Sequence, residues 1–362
     1  MKARALYNKL APTLIPVLLT LVSSTIILLL AGADPLEAYG NIVTGALGTP
    51  RKLADVALAV VPLLLCSAGM LITFAAGLWN IGVEGQMIAG ALSTTWLILS
   101  FPAPAYVILP LSVLAGMAGG AVWGLLIGTL RTYGRVNEIF AGLGLNFVAM
   151  ALTNYLIFGP WKPPDGATMS GTDPFPTSSW MPIMGNTRFS LVAFLLAVAA
   201  IIIVYILLRD TSWGLRLKAI GLNAQAANRL GINTSRNMLL AFAACGAFAG
   251  LAGSLQTTDV YHRLIPQISG GIGYLSQLVV LLSGLRAQWV PLVVLFFSLI
   301  QVGSPRLELR MQLDSALGGV LQSSVVLFFL LVRGFRERAA RRRAERPLEN
   351  EQPDAEKGKA HA

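Results

Sequence analysis

Apolar residues gather in runs of about twenty, cut by short polar breaks, and the pattern repeats almost the whole length of the chain. A helix needs roughly 20 apolar residues to cross a bilayer's hydrocarbon core. Runs of that kind predict ten spans, at about 11–31, 57–79, 85–101, 104–129, 138–158, 189–208, 238–256, 271–285, 288–303 and 316–332. The first run is too long for the apolar core of a signal peptide and reads as a retained span. The predicted fold is therefore all-α, a polytopic bundle of about ten transmembrane helices filling residues 1–335.

Two stripes of small residues support packing of helix against helix. Gly116, Gly120, Gly124 and Gly128 recur every fourth position in the fourth run, and Gly246 and Gly250 do so in the seventh. Small residues on one face let helix backbones approach closely in lipid.

Composition agrees: 55% of the 362 residues are hydrophobic and 12% charged, against about 25% charged in soluble domains. The net charge of +10 could point to nucleic acid, but Lys and Arg also collect on cytoplasmic loops of membrane proteins. With a cytoplasmic N-terminus, 20 of the 27 basic residues fall inside, or 11 against 7 without the tail. Both termini are thus expected in the cytoplasm, with no nucleic-acid partner. The basic-then-acidic segment 336–362 reads as a disordered tail on anionic lipid. The Pro-rich segment 159–187, carrying Trp161 and Trp180, reads as an ordered outer loop, a lid or docking surface.

Candidate chemistry is sparse. Nucleotide-binding, zinc-protease and nucleophile-elbow motifs are absent. Cys66 and Cys245 lie in apolar runs and read as small buried hydrophobes. His262 sits in a loop and His361 in the tail, neither beside other ligand types. One carboxylate, Glu84 in "NIGVEGQ", falls near membrane depth. It is either solvated in a short cytoplasmic turn or set at a polar break that lines a cavity. Asn80, Glu84, Gln86 and Asn146 are the candidates for shaping a solute path.

The segment "LRLKAIGLNAQAANRLGIN" (residues 215–233) carries its own helix signals, with Asn223 as N-cap and Gly231 as the left-handed residue past the end. Ala226 and Ala227 with Leu230 form a small apolar face. Two turns of helix are unstable alone, so a cytosolic partner is expected there.

At these residues the chain resembles the membrane permeases of bacterial ABC importers, in the branch of ribose-type and branched-chain amino acid permeases. The resemblance rests on Gly221, Asn223, Ala226, Ala227, Gly231 and Ile232. "GLWNIGVEGQMIAGAL" (Gly77–Leu92), "VNEIFAGLGLNFVAMALTNYLIFGPWKPP" (Val136–Pro164) and "RLELRMQLDSALGGVLQSSVVLFFLL" (Arg306–Leu331) are similar to the nucleoside-type permeases in particular. The chain departs from them at Gly271–Pro291, where they carry an aspartate and it has Tyr274, Ser276 and Gln277. The resemblance implies a bacterial plasma-membrane subunit that binds no cofactor, with ATP used by a separate ATPase. The cytoplasmic segment 209–237 would dock on that ATPase through Arg216, Lys218, Gly221, Asn223, Ala226, Ala227, Leu230 and Gly231. It further implies a second permease subunit, identical or a paralogue, and an extracytoplasmic solute-binding protein meeting the outer loop at Trp161 and Trp180. A ribose-type solute fits the same segment. A secondary transporter driven by an ion gradient is the rival of a different class.

Overall fold

The structure, a computed structural model, describes residues 18–30, 32–163, 171–185, 187–312, 314 and 317–344. Helices and their connections make up the described residues, with no strand among them. The chain divides into two compact units, residues 38–315 and the two chain ends together.

In chain order the helices are α1 (Leu18–Leu30), α2 (Pro35–Leu47), α3 (Pro50–Ala75), α4 (Val83–Ser100), α5 (Ala105–Thr132), α6 (Glu138–Phe158), α7 (Leu191–Asp210), α8 (Ser212–Leu222), α9 (Ala224–Arg229), α10 (Thr234–Leu255), α11 (Ile272–Leu282), α12 (Val290–Gly303), α13 (Pro305–Met311) and α14 (Leu317–Ala344). Six stretches among the described residues are long and apolar enough to cross a membrane, or up to seven if α1 and α2 form one broken span. This is a multi-pass membrane protein. The predicted runs map onto α1, α3–α7, α10–α12 and α14, while the pattern gave no notice of α2 or α13. Residues 11–17 of the first run lie outside the described residues. α14 continues to Ala344, so helix extends into the segment expected to be disordered, whose remainder, His361 included, is outside the described residues.

Several helix starts are written locally. Thr49, Asn137, Ser190, Thr211, Asn223 and Asn233 each place a side-chain oxygen on a backbone N–H of the first turn of α3, α6, α7, α8, α9 and α10. Such a cap satisfies a donor that the helix itself leaves unpaired. α4, α5, α11, α12 and α13 start without such a side-chain bond, and α4 and α11 differ from the others in having glycine at that position. The N-caps of α4 and α11 are Gly82 and Gly271, and neither offers a side chain.

The bundle is built on backbone-to-backbone packing. α3 is buried continuously from Val60 to Phe74. The two glycine stripes face each other: a Cβ placed on Gly120 would lie 2.1 Å from the Gly246 carbonyl oxygen, and one on Gly250 would lie 2.1 Å from that of Gly116. Gly90 of α4 closes on Gly250 from a third side, its Cβ position 2.3 Å from the Gly250 Cα. α4, α5 and α10 therefore meet at distances that no side chain permits.

Candidate functional site

The polar break between α3 and α4 lies inside this packing. Glu84, in the first turn of α4, is 4% exposed, which removes the solvated-turn reading. Its carboxylate accepts the N–H of Gly271 at 2.9 Å and of Gly273 at 2.8 Å. Glu84 thus supplies the cap that α11 lacks, and a negative group at a helix N-terminus is also favoured by the helix dipole. Gly273 is required by the approach, because a Cβ there would fall 2.6 Å from both the Glu84 amide nitrogen and Oε2. Gly271 has φ +79°, the left-handed backbone that turns the incoming loop into the helix.

α4 is served in the same way from a distance. Asn146 of α6 accepts the Gly85 N–H through Oδ1 at 2.8 Å, and its Nδ2 donates to the Ile81 carbonyl at 3.0 Å and the Tyr274 hydroxyl at 3.1 Å. Asn80 and Gln86 pair their side-chain amides at 3.2 and 3.4 Å, with Asn80 Nδ2 also 3.2 Å from Cys245 Sγ. Gln277 Nε2 donates to the Asn80 carbonyl at 3.1 Å. The four path candidates, Asn80, Glu84, Gln86 and Asn146, are therefore brought together. They are buried and turned onto one another and onto backbone, so in this state they hold two helix starts in register. α11 has 11 residues, about 16 Å of helix at 1.5 Å per residue and about half of a hydrocarbon core. It is a half-length helix whose N-terminus is met by a buried carboxylate.

The segment after α7 is a compact helical pair. Asn223 Oδ1 accepts the Ala226 N–H at 2.9 Å. At the other end Gly231 (φ +85°) gives its N–H to the Asn228 carbonyl and Ile232 to that of Ala227, the paired bonds of a Schellman ending. The expected apolar face divides. Ala227 is buried, while Ala226 is exposed and Leu230 and Leu222 stand 82% and 90% exposed. The reason is that α9 packs on α8 and α10, which takes up Ala227. Arg216 and Lys218 are exposed. Gly221 is pressed to the end of α3, its Cβ position 2.4 Å from the Ala75 carbonyl oxygen. α8 thereby abuts the turn that leads into the polar break.

At the opposite end of α7 the segment 171–185 is pinned rather than loose. Backbone N–H groups of Thr172, Phe175 and Met181 donate to the carbonyls of Leu264, His262 and Thr258. Trp180 donates its Nε1–H to the Phe175 carbonyl at 2.9 Å and stacks on His262 with ring centres 4.1 Å apart. Trp161 turns inward instead, against a cluster that includes Ile88, Ala149, Ile157 and Leu264.

The sequence profile of a family described as branched-chain amino acid transport system, permease component, matches residues 52–332. The chain belongs to this permease family. It is 32% identical over 324 residues to a glucose ABC transporter permease protein of Haloferax volcanii, covering 87% of this chain and 85% of that protein. A nucleoside ABC transporter permease protein of Lactococcus lactis is 29% identical over 82% of this chain and 84% of its own. A guanosine ABC transporter permease protein of Bacillus subtilis is 26% identical over 87% and 91%. The protein is accordingly a transport permease and not an enzyme.

The apolar pattern ends the seventh span at residue 256 and leaves Glu84 as the one carboxylate near membrane depth, and the structure adds a second. The helix instead runs on as a π-helical turn, Gln256–Val260, and carries Asp259 inward to 4% exposure. Asp259 Oδ1 and Gln256 Oε1 are buried without a hydrogen-bond partner. π-turns within helices are frequent at functional sites. Only the polarity of "QTTDVYH" hinted at it, and polarity there reads equally well as a loop.

Proposed function

We propose that this permease forms the membrane path of an ATP-driven importer for nucleosides or related purine and pyrimidine compounds, in a bacterial plasma membrane. Two nucleoside-type relatives that align over 82% and 87% of the chain carry the reading. In it, both termini and the α8–α9 pair face the cytoplasm and about ten spans cross the bilayer. ATP binding draws ATPase subunits together against Leu222, Ala226 and Leu230. The motion passes through Gly221 to the end of α3 and on to the break held by Asn80, Glu84, Gln86 and Asn146. No cofactor is bound by this chain, a second permease completes the path, and a solute-binding protein meets the pinned 171–185 segment around Trp180. ABC permeases work with ATPase and binding-protein partners generally.

A sugar is the second reading, because the glucose-type relative is 32% identical. Both solute classes present ring hydroxyls. The test is uptake by proteoliposomes holding the permeases, ATPase and binding protein, with labelled nucleoside or labelled hexose. ATP-dependent nucleoside uptake that excess hexose leaves unchanged is expected. Hexose uptake without nucleoside uptake overturns the solute assignment, and uptake by this chain alone on an ion gradient overturns the ATP-driven mechanism.

A further inference from the structure

At the end of the bundle that carries α8, a groove of about 680 Å³ opens between α3, α7, α8 and the connection from α11 to α12. Its lining is apolar and basic, with the exposed Leu222 and Leu285 beside the cations. Leu71, Phe74 and Leu208 give an apolar floor, and Arg209, Lys218 and Arg286 stand on its rim, with no carboxylate among the lining residues. The three cations are exposed. Arg209 is partly engaged, by Asp210 at 3.5 Å and by the hydroxyl and ring of Tyr205. Lys218 and Arg286 make no ion pair among the described residues.

The depth of the groove follows from its walls. α7 has 20 residues, about 30 Å, enough to cross a hydrocarbon core. Tyr205 and Arg209 occupy its last turns. Trp79, edge-on to Phe74 with ring centres 5.2 Å apart, and Trp289, whose backbone N–H donates to the Arg286 carbonyl, are each about half exposed. Aromatic residues of this kind mark the boundary between acyl chains and headgroups. With the boundary at these rings, the floor would lie at acyl-chain level and the rim at phosphate level.

We propose that this groove binds one phospholipid with an anionic headgroup, an acyl chain along Leu71, Phe74 and Leu208 and the phosphate at the basic rim. Basic pockets between spans suit such headgroups. A soluble subunit could meet the rim but would not reach a floor built from spanning helices. The lipid would brace α8, through Lys218, against the same end of α3 that Gly221 touches.

The test uses the purified full chain in neutral detergent, with phosphatidylglycerol or phosphatidylcholine of identical acyl chains, read by native mass spectrometry. One molecule of phosphatidylglycerol is expected to stay bound in preference to phosphatidylcholine. Lys218→Gln with Arg286→Gln should lower its retention roughly tenfold or more. Arg216→Gln with Arg236→Gln, an equal charge loss on the same segment outside the groove, should leave it bound. Lys218→Arg with Arg286→Lys should retain it, which separates lost charge from lost fold. Equal retention of both lipids, or equal loss in both neutralised variants, overturns the proposal. No solute assignment enters this test, so its failure leaves the proposed function standing.

Discussion

Removing the Glu84 carboxylate tests whether the polar break is the joint that sets α11 in place. Glu84→Ala strips the two acceptors from the Gly271 and Gly273 N–H groups, 2.9 and 2.8 Å away, in a place largely closed to water, with Glu84 and Gly273 buried and Gly271 half-buried. Each buried N–H left unpaired costs about 1–3 kcal/mol, so the pair costs about 2–6 kcal/mol. Glu84→Gln keeps the shape and one acceptor but turns an NH2 toward the other N–H, and about half of that loss, ~1–3 kcal/mol, is expected. The assay is amide hydrogen exchange by mass spectrometry on peptides covering residues 268–277, alongside the thermal midpoint in detergent. Because 1.4 kcal/mol is a factor of ten, exchange at Gly271 and Gly273 in Glu84→Ala should rise by at least about 25-fold. Glu84→Gln should fall between it and the wild type. Peptides from α5 should exchange as before. Unchanged exchange across 268–277 in Glu84→Ala would refute the capping argument, whatever happened to transport.

Three further outcomes are expected. Gly120→Val should lower the thermal midpoint strongly, since its Cβ would sit 2.1 Å from a backbone oxygen and overpacking costs at least about 1–3 kcal/mol. Gly128→Ala, whose nearest neighbour is a Phe242 side-chain atom at 3.1 Å, should do much less, and equal midpoints would count against the glycine contact. Gly231→Val should disrupt the end of α9, where φ is +85° and a side chain costs roughly 1–2 kcal/mol; solute-stimulated ATP hydrolysis by the assembled transporter should fall, with Gly231→Asn milder. His262 is held below the ordinary histidine value mainly by burial and also by repulsion from Arg188, with the bond to the Thr258 carbonyl opposing. Folding thus favours the neutral ring: nothing is lost above about pH 6.5, and stability declines as pH falls from there until the folded ring too is protonated. The fluorescence of Trp180, taken as wild type minus Trp180→Phe, should titrate with a midpoint below about 6.5, and Arg188→Gln should raise it. A midpoint at or above that value would contradict the account.

Much of this protein is decided locally and is legible in sequence. Apolar run length determines which segments enter the bilayer, and Thr49, Asn137, Ser190, Thr211, Asn223 and Asn233 fix helix starts because a cap acts over two or three residues. The same holds for Gly231, whose φ is set by the Schellman bonds around it. Glycine spacing foretold close packing on α5 and α10, though not that the two stripes would meet. What the tertiary structure alone decided are relations between residues far apart in the chain. Glu84 and Gly273 are 189 positions apart, and no periodicity records that one caps the other's helix. The inward turn of Ala227, the half-length of α11 and the burial of Asp259 on a π-turn have the same origin. Each depends on which surface a neighbouring helix covers, and a one-dimensional pattern of apolar and polar residues shows how greasy a face is without showing what lies against it.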